Sequence, residues 1–237
     1  MRKNSSLAGM LICCVIVAAC SMVTGNRSAE QWLSLVRSGM IAEDNFRFSG
    51  SVVMGFEDGV ALAPFAFQGE IEAHKQIALH AEQSSSFVHN PVNELEFIAD
   101  HAEQSEIVYN GLDESKERNI VVLNVKLNEQ AVTERWKDQL QQELNNVSLQ
   151  AIASAKEEGK HLALVQQEAD HAQRELEQML QQLKVSAQYE ITIDTVRAVE
   201  LEMKELVNMN YMKDGAMIKE YRKSNITFDL TPDQVVR

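Results

Sequence analysis

AVELEMKELVNMNYMKDGAMIKEYRKSNITFDL, residues 198–230, decides the fold. Apolar and polar residues alternate along much of it, the period of a strand with one buried and one wet face. AVELEMKEL (198–206), VNMNYM (207–212) and AMIKEYRKSNITFDL (216–230) read as strands. Lys213-Asp214-Gly215 is a hairpin-like turn. Just upstream, QYEITID (188–194) carries the same alternation. The C-terminal part is therefore an antiparallel meander.

Before residue 188 the period changes. From about Asn128 to Lys184 there is no proline, little glycine, and much Gln, Glu, Lys, Leu and Ala. Trp136, Leu140, Leu144 and Val147 mark one helical stripe. Leu162, Val165, Ala169, Ala172, Leu176, Met179 and Leu183 recur at alternating steps of three and four, a heptad seam of the coiled-coil kind. Glu157-Glu158-Gly159-Lys160 is the expected break. A helical hairpin packing the two stripes together is the first expectation. One kinked helix, or dimeric pairing through the second stripe, is the alternative.

The N-terminal half mixes both periods. Ser28 caps a helix over 28–40, with Gln31 three residues on. FRFSGSVVMGF (46–56) and PFAFQGEIEAHKQI (64–77) alternate as strands, and Glu57-Asp58-Gly59 signals the turn after the first. In NPVNELEFIADHA (90–102), Asn90 is a cap and Pro91 a first-turn proline, with Leu95, Ile98 and Ala102 as the stripe. SEIVYN (105–110) and NIVVLNVKL (119–127) are two more strands around the polar GLDESKER. Residues 28–127 and 188–237 are expected to share one sheet domain, with 128–187 as the inserted hairpin.

The extreme N-terminus carries an address. Arg2 and Lys3 precede an uninterrupted apolar and small run, Leu7 to Ala19. A basic start, a short apolar stretch and small residues before a cut define a secretory signal, expected here over 1–19. A spanning helix wants about 20 apolar residues, more than this run supplies; an uncleaved anchor is the alternative. All three cysteines, Cys13, Cys14 and Cys20, fall in or beside it. Three Cys with no His nearby are too few for a structural zinc site. A disulfide between adjacent Cys13 and Cys14 would be strained.

Val17-Ala18-Ala19-Cys20 resembles the bacterial lipobox. The resemblance implies cutting before Cys20 and a diacylglycerol on its thiol. Val17 takes the hydrophobic position, and Ala18 and Ala19 the small ones. Residues 20–27 then form a lipidated tether, and attachment is to the outer face of a bacterial cell membrane.

Charge agrees with a lipid rather than a basic patch as the membrane contact. The chain holds 22 Lys and Arg against 35 Asp and Glu. Losing residues 1–19 removes Arg2 and Lys3 and leaves 20 basic residues. Such an acidic surface disfavours nucleic acid as a partner.

Catalytic patterns are missing. There is no GxSxG elbow, phosphate loop or dinucleotide-binding glycine run. IALHAEQS (77–84) and IADHAEQS (98–105) share a pattern carrying His80, Glu82, His101 and Glu103, but the first follows a strand and the second ends a helix. Coincidence accounts for them better than a repeat. Glu168 and His171 have the spacing of half a di-iron site whose partner motif is absent. No metal, cofactor or enzymatic activity is expected.

Aromatic and methionine residues in the strands are the remaining candidates. Phe46, Phe48, Phe65, Phe67, Met203, Met209, Tyr211 and Met217 either line an apolar groove or fill an ordinary sheet core. NFRFSGSVVMGF, NPVNELEFIADHA and the closing YEITID…MNYMKDGAMIKEYRKSNITF resemble the lipoprotein-carrier (LolA-like) fold. That resemblance implies a curved half-barrel sheet with helices across its concave side, binding acyl chains or a partner there. The expected fold is α+β: a curved antiparallel sheet with packed helices and a long inserted helical hairpin. The expected function is binding or scaffolding by an anchored lipoprotein, with the hairpin contacting an unknown protein partner. An apolar ligand such as a lipid, held in the groove, is the alternative.

Overall fold

The computed structural model describes residues 27–43, 45–72, 76–80, 90–111, 119–157, 159 and 161–230. In chain order they form α1 Ala29–Ala42, β1 Phe46–Phe56, β2 Phe65–Glu72, β3 Gln76–His80, α2 Pro91–His101, β4 Ala102–Asn110 and β5 Ile120–Leu127. Then follow α3 Glu129–Glu157, α4 Leu162–Gln182, β6 Lys184–Asp194, β7 Val199–Lys213 and β8 Ala216–Asp229. The class is α+β.

The strands make one open antiparallel sheet in the order β3-β2-β1-β8-β7-β6-β5-β4. The joint between strands from the two ends of the chain is β1 with β8, from Arg47 opposite Asp229 to Phe56 opposite Glu220. Strands from both ends of the chain thus meet in one sheet, as their alternation predicts. The β7–β8 turn places Asp214 at φ 52° and Gly215 at φ 78°. Two successive left-handed residues suit the twist of a tight hairpin, and Asp-Gly supplies them cheaply.

Period two puts Leu123, Ile191, Met203 and Phe48 on the inner face, each at most 2% exposed. The helices cover that face. Ser28 accepts from the Gln31 amide, and the Gln31 side chain accepts from the Ser28 amide, so both cap donors at the start of α1 are satisfied. Trp32, Val36 and Met40 of α1, Leu95 and Ile98 of α2, and Val132 and Trp136 of α3 join the strand residues in one cluster. Burying each large side chain contributes about 1.5–3 kcal/mol. Asn90 caps α2 through the Val92 amide, with Pro91 in the first turn.

The inserted segment is a hairpin. Gly159 at φ 66° and His161 at φ 36° turn the chain between α3 and α4. Leu140, Leu176 and Met179 pack on the core at its base, whereas Leu162 at the top of the seam is exposed. No helix among the described residues is long and apolar enough to cross a membrane.

Four boundaries differ from expectation. The strand expected over 64–77 is two: β2 ends at Glu72, and β3 folds back with Gln76 opposite it. Alternation runs through a reversal without marking it. AVELEMKEL and VNMNYM form one strand, β7. β4 starts at Ala102, directly after α2. The hairpin insertion, expected over 128–187, ends at Gln182, and β6 starts at Lys184. Leu183, Val185 and Ala187 already point inward with period two, while the polar residues between them suit a helix equally well.

Candidate functional site

The base of the hairpin is fastened by a buried polar cluster. Tyr189, Glu205 and Ser224 stand opposite one another on β6, β7 and β8. All three are in the inward phase of their strands, and each is buried. Glu94, in the first turn of α2, comes down onto them and is 6% exposed. Its carboxylate takes two bonds from Arg135 of α3, at 2.6 and 3.1 Å. The Arg135 guanidinium lies 4.1 Å from the Phe97 ring centre. The His101 ring lies tilted against Phe97, with centroids 4.5 Å apart. A planar guanidinium suits both the two-point pair and the ring.

The proton count in this cluster is informative. The Tyr189 oxygen lies 2.7 Å from Glu94 Oε1 and 2.9 Å from Glu205 Oε1. A phenol has one proton to donate. Tyr189 therefore shares that proton between the two acids. Glu94 is also matched by Arg135. Glu205 Oε2 accepts from Ser224 at 2.9 Å and lies 3.5 Å from Arg222 Nη1, while Oε1 faces the phenol. Burial pushes the Glu205 carboxyl up, against the opposing pull of the Arg222 charge. Burial, then the two acids, push the Tyr189 phenol well up.

A second bond pair fixes α3. The Thr133 hydroxyl accepts from the Val185 amide at 2.9 Å and donates to the Val185 carbonyl at 3.3 Å. Beyond this root the arm is bare. Past Trp136, only Ala155 of α3 is buried, and only Leu180 of α4. Val147, Leu149 and Leu164 are 62%, 65% and 57% exposed.

Phe97, His101 and Arg135 also line a cleft of about 700 Å³ between α2 and α3. Gln139, Gln142 and Asn146 continue along it, with Glu134, Asp138 and Glu143. Amides and carboxylates suit a polar chain, with the Phe97 and His101 rings as the apolar part. A smaller trough of about 360 Å³ on the sheet holds Lys204, Lys223, Gln188 and Asn225.

Of the groove candidates, Phe46, Phe48, Phe67, Met203 and Met209 are at most 5% exposed and share one cluster with Trp32, Val36 and Met40 of α1. Phe65 and Tyr211 pack on its edge, and the Tyr211 hydroxyl donates to Glu220 at 2.6 Å. Met217 stands apart beside the β7–β8 turn, 57% exposed. Cys20 and Val17, Ala18 and Ala19 lie outside the described residues, as do Glu82, His74 and His89. His171 pairs with Glu175 at 3.3 Å, on the exposed side of α4. Glu103 pairs with Lys126 at 3.5 Å.

Sequence reasoning missed Glu94, Arg135, Tyr189, Glu205, Arg222 and Ser224. One signal was available. Glu205 falls in phase with Met203 and Val207, and Arg222 and Ser224 with Ile226 and Phe228. Polar residues on the apolar phase of a strand mark a buried network.

No family model matches the chain, and no curated protein matches it. Among solved structures, it is similar to a LolA superfamily protein from Nitrosomonas europaea. The overlap covers 86% of this chain and 92% of that one, at 8% identity and a TM-score of 0.28. So loose an overlap carries no argument about fold or function, and the architecture rests on this chain's own strand pairings.

Proposed function

We propose that this protein is a lipid-anchored binding protein on the outer face of a bacterial cell membrane, holding a protein partner with its helical arm. The anchor is Cys20 within Val17-Ala18-Ala19-Cys20. Two acyl chains hold a protein stably where one is marginal. The arm is the contact surface. One observation carries this reading: the arm is fastened at its root by Arg135–Glu94 and Thr133–Val185, yet leaves Val147 and Leu149 of α3 and Leu164 of α4 in solvent. A rigid mount keeps apolar side chains presented at little entropic cost on binding. The cleft beside α3 extends that surface with polar groups.

A photo-crosslinking residue placed at 147, 149 or 164 in cells tests it. The expected result is a discrete cross-linked protein at one or more positions. That product should disappear when the other two apolar residues are changed to Ser, and Cys20→Ala should release the chain from the membrane. No product from any arm position would overturn the reading.

The second reading is an apolar ligand on the sheet's inner face. It is favoured by the gathering of Phe46, Phe48, Phe67, Met203 and Met209 in one cluster. α1 occupies the place such a ligand would take, so this reading requires α1 to move.

A further inference from the structure

Glu200 of β7 stands opposite Ile193 and is 0% exposed. A bulge between Thr192 and Ile193 and their partners brings both Val199 and Glu200 into the interior. Neither carboxyl oxygen of Glu200 has a hydrogen-bond partner. A buried acid left this way calls for an explanation.

The last turn of α1 lies directly on it. The Glu200 amide donates to Met40 Sδ at 3.4 Å. One residue earlier, α1 meets the β6–β7 turn so closely that a Cβ on Gly39 would fall 2.0 Å from the Ala198 carbonyl oxygen. Ala198 holds a left-handed φ of 56° at that contact. The charged groups around Glu200 are already engaged. Glu43, at the end of α1, pairs with Arg197 at 3.1 Å, and Arg197 also donates to the Leu230 carbonyl. Asp194 of β6 accepts the Val196 and Arg197 amides. From α2, Glu94 is held by Arg135 and Tyr189. β8 offers the carbonyl of Leu230, which follows it and is already taken by Arg197.

We propose that this contact is a proton-dependent latch: α1 lies on the sheet while the Glu200 carboxyl is uncharged, and ionisation frees the helix. Burial first, and the Glu94 charge second, push that carboxyl well above its usual range. The seated form therefore holds a proton that the released form, with Glu200 in water, gives up. The seated form is fully favoured below about pH 4.5, where both forms are protonated, and loses ground as pH rises towards the raised value. One such group changes the ratio by up to about tenfold per pH unit. Release uncovers the inner face that carries Phe46, Phe48 and Met203. The latch is independent of the partner-binding reading.

Trp32 of α1 is 2% exposed, and the chain's second tryptophan is Trp136. In the whole chain carrying Trp136→Phe, acrylamide quenching of Trp32 is read from about pH 5 to about pH 9. Quenching should rise severalfold with pH while the far-UV spectrum stays constant, and should stay flat with Glu200→Gln added. Equal pH profiles in the two chains would overturn the latch. Should Glu200→Gln fail to fold, deuterium exchange in the unaltered chain, corrected for its intrinsic pH dependence, decides. Protection over Ala29–Ala42 should fall at least about tenfold across that range while β5 to β8 keep theirs. Unchanged protection, or loss in helix and sheet together, would also overturn it.

Discussion

Tyr189 and Glu205 face each other across β6 and β7, 2.9 Å apart. The Tyr189 oxygen also lies 2.7 Å from Glu94 Oε1, and Glu94 holds the two-point pair with Arg135. That pair makes the two buried glutamates unequal, although their distances to the phenol are similar.

Glu205→Gln should be the milder change. An amide can still bond Tyr189 and accept from Ser224, and it has the shape of the acid. Glu94→Gln should cost more, because Arg135 keeps its charge and loses a two-point carboxylate partner. Arg135 is 28% exposed at its side chain, so water offsets part of the loss, leaving about 1–3 kcal/mol. Urea unfolding of the two variants at neutral pH checks the order. Equal losses would contradict that order.

The burial of Glu205 sets a pH dependence. The Glu205 carboxyl is raised in the folded chain. Its contribution is therefore fully present below the unfolded value near pH 4.5 and declines as pH rises through the folded value. Glu205→Gln removes that decline. The variant should gain on the native chain as pH rises above about 5, by at most about 1.4 kcal/mol per unit. Unfolding curves of both chains across this range supply the difference. A constant difference would count against it.

Gly39→Ala opposes two effects. Alanine favours a helix by about 1 kcal/mol over glycine. At this position the new methyl would meet the Ala198 carbonyl at 2.0 Å, a backbone atom that cannot swing away. Overpacking of this kind costs about 1–3 kcal/mol. A lower melting temperature is expected, with weakened deuterium protection of α1. A higher one would mean that helix and turn separate easily.

Thr133→Val should loosen the arm more than the sheet. It removes both bonds to Val185 and leaves that buried amide without its partner, costing about 1–3 kcal/mol. Exchange should quicken over 129–145 and stay slow in β7 and β8. Uniform loss of protection would contradict a separate root for the arm.

The fold was largely legible, because period is a local property. Phe46, Phe48, Met203 and Phe228 declare their strands by alternation, and the Ser28–Gln31 and Asn90–Pro91 pairs declare two helix starts. The turn at Gly159 and the Asp214-Gly215 hairpin were readable for the same reason. Boundaries failed where one pattern serves two structures. The alternation of 64–77 continues across a reversal, and Gln182, Lys184 and Ser186 suit helix or strand. The polar cluster was hidden by distance: Glu94, Arg135 and Tyr189 meet only once α2, α3 and β6 are packed. Glu205, Arg222 and Ser224 did break the alternation of their strands, a sign visible in sequence. Glu200 gave none, since a bulge turns it inward. Phe46, Phe48, Phe67, Met203 and Met209 share one cluster while Met217 stands apart, and composition does not say whether a helix fills the space before that cluster.

Native mass spectrometry of residues 26–237, prepared without detergent, tests the central claim most directly. A protein whose inner face is occupied by α1, and whose working surface is its arm, should fly as the bare chain at its calculated mass. A lipid-sized adduct retained by the monomer would contradict that account. It would make the sheet's inner face the binding site, with Phe48 and Met203 the first residues to change.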